Sequence, residues 1–209
     1  MFRTLTEEAP APAAGKRWLG KLLLAAWIGL ALTGMASLSL GHMAAMPDPD
    51  DATRLSRGML QLRRDAGRTF YVHVIYAGCS CTERLFRHLV ERGPHRGIEE
   101  MVLFIGEDAD KRRAAEQAGF RFATDSAEHL ARGYGIEAAP LLVAFDAGGR
   151  MRYLGGYYNH PSTVFPLDEK IHEELARGEG PKPLPIFGCA MSARLQKSVD
   201  PLGIVYRGG

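Results

Sequence analysis

Tyr76-Ala77-Gly78-Cys79-Ser80-Cys81-Thr82 is the stretch that decides how this chain folds, and it carries two of the three cysteines. Phe70-Tyr71-Val72-His73-Val74-Ile75 leads into it as an apolar, β-branched run. Leu85, Phe86, Leu89 and Val90 follow at helical spacing until Gly93-Pro94 stops the pattern. Strand, tight turn and helix are predicted in that order, with Cys79 and Cys81 at or just before the helix N-terminus. Backbone N–H groups and the positive end of the helix dipole there favour a thiolate over a thiol. The alternative is a pair of buried, inert cysteines, which rarely sit one residue apart at the mouth of a helix.

Upstream, the only charge from Trp18 to Leu40 is Lys21, and the run is long enough to cross a hydrocarbon core, which takes about 20 residues. Arg3, Lys16, Arg17 and Lys21 lie on its N-terminal side, and the first charges beyond it are Asp48, Asp50 and Asp51. The positive-inside rule then puts the N-terminus in the cytoplasm and the rest of the chain on the periplasmic or outer side. A cleaved signal peptide, with Gly34-Met35-Ala36 as the small-x-small site, is the alternative; the run exceeds the ~7–15 residues of a signal h-region. The expected organisation is a cytoplasmic segment over 1–17, a single-pass inner-membrane anchor over 18–40 and a tether over 41–51. A folded domain over 52–178 and a tail over 179–209 complete it. Beyond the membrane, thiol oxidation is permitted.

The 209 residues are 46% hydrophobic and 24% charged, enough for one sizeable core. A formal net charge of +2, with arginines scattered among acids, provides no basic stripe, so no nucleic-acid partner is expected. Three cysteines are too few for a disulfide scaffold, an odd number leaves at least one thiol free or paired outside the chain, and their arrangement, two almost adjacent and one distant, points to chemistry more than to stapling.

Around the cysteine turn the pattern alternates. Leu55, Met59 and Leu62 predict an amphipathic helix ending near Gly67, its arginines solvated. A strand is expected over 101–105, a helix over 108–118, a short strand over 120–122 and a helix capped by Ser126. A hairpin of 140–145 and 151–154 turns at Asp146-Ala147-Gly148-Gly149, and a helix over 167–176 follows. The fold class is α/β with a mixed central sheet. Pro181-Lys182-Pro183-Leu184-Pro185 is a stiff segment expected to cross the surface. Beyond it, Met191, Leu195 and Val199 predict a helix opened by Gly188-Cys189. The tail is expected to bring Cys189 within reach of the other two cysteines as a third thiol; the alternative is a small apolar residue docking the tail on the core.

The cysteine turn, Tyr134-Gly135-Ile136-Glu137-Ala138-Ala139-Pro140-Leu141-Leu142-Val143 and Asp146 to Gly156 together resemble the thioredoxin-like superfamily. More narrowly, the chain is similar to the membrane-anchored TlpA/ResA-type thiol-disulfide proteins and their RedB-type branch. The resemblance implies a thioredoxin-like fold and a thiol-disulfide oxidoreductase that works on protein thiols or disulfides without a cofactor. It also implies a cis bond at Ala139-Pro140, opposite the cysteines, with both residues lining the substrate groove. Cys79, first at the turn and expected to be the more exposed sulfur, is the candidate nucleophile, and Cys81 the resolving thiol. Cys-Ser-Cys replaces the family's Cys-x-x-Cys, and the smaller ring it would close is expected to exchange readily.

Two thiolates and a histidine also suit Cu(I). His160, in Tyr158-Asn159-His160-Pro161, is then the candidate ligand beside Cys79 and Cys81, with Cys189 as a possible third thiolate, although a loop histidine is ordinarily a solvated surface residue. His73 is expected to be packed or hydrogen-bonded in its strand, and His88 to lie on the surface. A non-catalytic interaction module ranks last, because the cysteines and the proline are all present.

Overall fold

The computed structural model describes the backbone of residues 14–206, and the side chains of residues 18–36 and 44–206 apart from Ser80 and Cys81. The expected cytoplasmic segment, with Arg3, Lys16 and Arg17, lies outside the described side chains. The chain divides into two compact units, Met1–His42 and Met43–Gly209.

Helix α1 (Ala14–Met43) contains the apolar stretch Trp18–Ala36, whose 19 residues rise about 28 Å, close to the ~30 Å hydrocarbon thickness of a bilayer. Every described side chain on it is exposed, Trp18, Trp27 and Leu30 included. A helix apolar on all sides needs a non-aqueous surround. It fits a single-pass membrane anchor, and a signal sequence passes the same test.

The second unit is built on a five-stranded sheet. β1 (Phe70–Tyr76), β2 (Glu99–Ile105) and β3 (Arg121–Asp125) run parallel. β5 (Leu141–Phe145) lies antiparallel to β1 and β6 (Met151–Gly155) antiparallel to β5, giving the order β3-β2-β1-β5-β6. Alternate residues of β1 serve two cores, as the period of 2 requires. Phe70, Val72 and Val74 meet Leu55 and Met59 of α2 (Ala52–Leu60), Leu130 of α5 (Ala127–Tyr134) and Leu195 of α7 (Ala193–Val199). Tyr71 and Ile75 meet Leu85, Phe86 and Leu89 of α3 (Ser80–Arg92), Ala115 of α4 (Ala109–Gln117) and Ile171 of α6 (Asp168–Ala176). Coverage on both faces explains why β1, β2 and β5 read as continuous apolar runs.

Three element boundaries differ from the sequence expectation. α2 stops at Leu60, not near Gly67, because the chain turns so that the N–H groups of Arg64 and Asp65 donate to the Glu99 carboxylate. β2 therefore begins at Glu99 rather than at Met101. Phe120 is outside β3: its N–H donates to the Ala115 carbonyl at the end of α4 and its ring fills the core. Ser126 caps α5 as expected, accepting from the His129 N–H.

Candidate redox site

β1 ends at Tyr76, whose carbonyl accepts from the Cys79 N–H at 3.2 Å, and the Cys79 carbonyl accepts from the Thr82 N–H at 3.1 Å. This tight turn makes Cys79 the N-cap of α3, in extended conformation (φ −114°, ψ 118°). Its side chain makes no capping hydrogen bond; its sulfur forms a disulfide with Cys189, across a Cα–Cα distance of 5.8 Å and 110 residues of sequence. That separation lies in the ordinary disulfide range. The third thiol is thus within reach of the turn, as expected. Cys81 belongs to the first turn of α3, and its side chain lies outside the described residues.

Two details correct the sequence expectation. Cys79 is only 4% exposed, not the open sulfur expected at a turn, whereas Cys189 is partly exposed. Cys189 also does not open a helix. It lies in strand β7 (Cys189–Ala190), which pairs antiparallel with β4 (Ala138–Ala139), Cys189 opposite Ala139. The helix starts later, at Ala193, capped by the Ser192 hydroxyl, which accepts from the Leu195 N–H. A two-residue strand has no period of its own to be read, so Gly188-Cys189-Ala190-Met191 passed for the start of the helix that follows.

The tail is held by its own chemistry. Ile186, Ala190, Met191 and Leu195 are buried in the core of the unit. The Met191 N–H donates to the Glu137 carbonyl at 2.7 Å, the Ala190 N–H to the Tyr206 hydroxyl at 2.8 Å and the Met46 N–H to the Ile186 carbonyl at 2.8 Å. Arg194 grips the Glu137 carboxylate through Nε and Nη2 at 3.0 and 2.6 Å, and Ser192 Oγ donates to it at 2.9 Å. The Arg194 hydrogen bond, then that of Ser192, outweighs desolvation and holds the Glu137 carboxyl below the usual carboxylate range. Gly188 is obligatory: a Cβ there would overlap the Ala139 carbonyl oxygen and Pro140 Cδ.

The Ala139–Pro140 bond is cis, as the resemblance implied, and the edge that β4 presents is taken by β7. Around the sulfurs, then, the structure brings together Cys79, Cys189, Ala139 and Pro140. His160 lies exposed in the loop after β6, its Nδ1 2.7 Å from the Ser162 hydroxyl.

A second group of polar residues, below the opposite end of α3, was not recognised from sequence. Glu100 is buried on β2 and receives His73 Nε2 at 2.8 Å, Arg92 Nη2 at 2.9 Å, and His95 through its backbone N–H at 2.6 Å and Nδ1 at 2.5 Å. The carboxylate can only accept, so His73 donates through Nε2 and its Nδ1 takes the Tyr157 hydroxyl at 2.7 Å. Asp168, also buried, receives Arg92 Nε at 2.8 Å and His88 Nε2 at 2.9 Å. His88 is partly exposed, as a residue near the surface would be, but through Asp168 it also ties α3 to α6. Burial alone would push the Glu100 carboxyl up, but the hydrogen bonds from His73 and His95 and the charge of Arg92 outweigh it and leave it far below its ordinary range. His88, Asp168 and Glu169 present donor atoms within 4.8 Å of one another, the spacing of a metal site. Arg92 Nε, 2.8 Å from Asp168 and 3.4 Å from Glu169, already supplies the cation.

No protein-family model and no curated protein sequence matches the chain. Among solved structures, a hypothetical protein of Sinorhizobium meliloti 1021 is 17% identical, with 72% of this chain and 93% of that one covered at a TM-score of 0.52. An uncharacterized conserved protein of Geobacillus kaustophilus is 20% identical over 60% of this chain and 77% of its own, at a TM-score of 0.48. A secreted disulfide oxidoreductase of Mycobacterium tuberculosis is 14% identical over 53% and 82%, at 0.38. At these identities the likeness is one of fold. With strand order β3-β2-β1-β5-β6, cysteines at the β1–α3 turn and a cis-proline leading into β5, the chain has the thioredoxin-like fold.

Proposed function

We propose that the chain is a membrane-anchored thiol-disulfide oxidoreductase of the TlpA/ResA type, its folded unit on the extracytoplasmic side and its partners protein thiols or disulfides. The observation that carries this reading is the disulfide from the N-cap of α3 to a strand beside a cis-proline. A helix N-terminus stabilises the Cys79 thiolate, so Cys79 is the sulfur on which exchange turns. Cys189 is its partner across the tail, and Cys81, two residues on, is the second resolving thiol. In the forward reaction two thiols of the chain become a disulfide while a client disulfide becomes two thiols; the reverse oxidises a client. Ala139 and Pro140 shape the surface on which the exchanging sulfurs meet. Arg3, Lys16, Arg17 and Lys21, at or before the start of the apolar stretch, and Asp48, Asp50 and Asp51 after it support the cytoplasmic placement of the N-terminus.

The test is to equilibrate the full chain in detergent with glutathione redox buffers and to assay reduction of insulin disulfides. The Cys79–Cys189 pair should titrate as a two-electron couple, and Cys79→Ser should abolish insulin reduction while the chain stays folded. Retained activity in Cys79→Ser, or a pair that never titrates, overturns the reading. The Cu(I) alternative, with Cys79, Cys81 and His160 or Cys189, keeps only its donor types in support.

A further inference from the structure

The two sulfurs of the Cys79–Cys189 bond are not equivalent, and the difference has a direction. Cys79 is 4% exposed beneath the tail, whereas Cys189 is partly open to solvent. Attack by a thiolate at one sulfur expels the other, and the better leaving group is the sulfur whose thiolate is more stable. Cys79 caps a 13-residue helix whose N-terminal N–H groups and dipole favour its anion; Cys189, on a two-residue strand, has no such support. Access and leaving-group stability point the same way.

We propose that exchange partners enter at Cys189, not at Cys79, so that the tail strand is the port of the site. This rests on the exchange reading above. A partner thiolate attacks Cys189 Sγ; the Cys79–Cys189 bond breaks, Cys79 leaves as a thiolate and a Cys189–partner disulfide forms. A second partner thiolate then attacks the partner sulfur of that mixed disulfide, releasing the Cys189 thiolate. Two electrons pass from two partner thiols to the chain, and the partner leaves as a disulfide. The class of partner follows from the same geometry. β7 fills the edge of β4 beside the cis-proline, and its close seating through Gly188 on Ala139 and Pro140 closes that edge of β4 to an added strand. The partner is therefore a thiol presented from solvent, on a small molecule or a mobile loop, rather than an extended segment laid along β4.

The experiment uses the full-length Cys81→Ser chain in detergent, oxidised so that Cys79–Cys189 is its disulfide. It is mixed with excess reduced glutathione, quenched in acid at early times, alkylated and mapped by peptide mass spectrometry. Glutathione should appear on Cys189 and the alkyl label on Cys79, by about tenfold or more over the opposite pattern. Glutathione on Cys79 first, or equally on both, overturns the proposal while leaving the oxidoreductase reading standing. If neither sulfur exchanges at any time, or the disulfide does not form, both fall together.

Discussion

The two ends of α3 are fastened by opposite chemistry. At its N-terminus Cys79 is joined to the tail by one covalent bond that thiols can open, in a setting of small and apolar residues. At its C-terminus Arg92 and His88 are joined to Glu100 and Asp168 by charged hydrogen bonds, buried and shared among β1, β2 and α6. The difference separates reactivity from position. An ion-paired cluster costs desolvation and gives little net stability, but it strongly resists loss of any one member. A disulfide opened by a thiol leaves its anion on Cys79, at a helix N-terminus that stabilises it. The helix is thus fixed at one end by ion pairs and joined at the other by a bond that thiols can open, the end to which the proposed exchange is assigned.

The largest effect should come from breaking the fixed end. Arg92→Met leaves the Glu100 and Asp168 carboxylates buried without their shared cation, and urea unfolding should show a loss of about 3–5 kcal/mol. A loss under about 1 kcal/mol would mean that the histidines alone hold the cluster. Loosening the switchable end should cost less. Gly188→Val pushes β7 off Ala139 and should destabilise by about 1–3 kcal/mol, and the fraction of chain with a Cys79–Cys189 bond, read by mass spectrometry, should fall.

Acid should weaken the fixed end before the switchable one. His172 on α6 stacks against His95 of the cluster, ring centroids 3.7 Å apart; desolvation, then His95, holds its pKa below the ordinary value, so the unfolded chain takes up its proton first and stability declines as pH falls through about 6.5. Glu100, with its pKa depressed, contributes stability that is present above about pH 4.3 and is lost as pH falls further toward the folded value. Urea midpoints between about pH 7.5 and 5.5 should therefore decline in the wild type and decline less in His172→Gln. The smallest effect is expected from Glu137→Gln. It breaks a pair whose arginine is well exposed, and should cost under about 1 kcal/mol with the disulfide still formed.

What could be read from sequence was what local pattern encodes. The cysteine turn and the 141–155 hairpin sit in segments whose neighbours in space are neighbours in sequence, or whose alternation marks them as strands, whereas the cis bond at Ala139–Pro140 came from the family resemblance alone. The reach of Cys189 followed from a stiff proline segment and a helix pattern, yet its strand did not. A pairing of two residues with Ala138–Ala139 leaves no periodicity. The charged cluster was hidden for a different reason. Glu100 and Arg92 carry the composition of a solvated surface, and only the partners brought by β1, α6 and the 93–98 loop make their burial tolerable.

The bond between Cys79 and Cys189 also makes the oxidised unit a covalent ring, running from α3 through β6 and α6 to β7. Closing a ring of that length restricts the unfolded chain far more than the native one, by about 4–5 kcal/mol on the chain-entropy account. Folding and oxidation are then two legs of one thermodynamic cycle. Whatever the bond adds to the stability of the fold, the fold returns as resistance of the bond to reductant, so a loosened fold would hold its disulfide less tightly without any change at either sulfur.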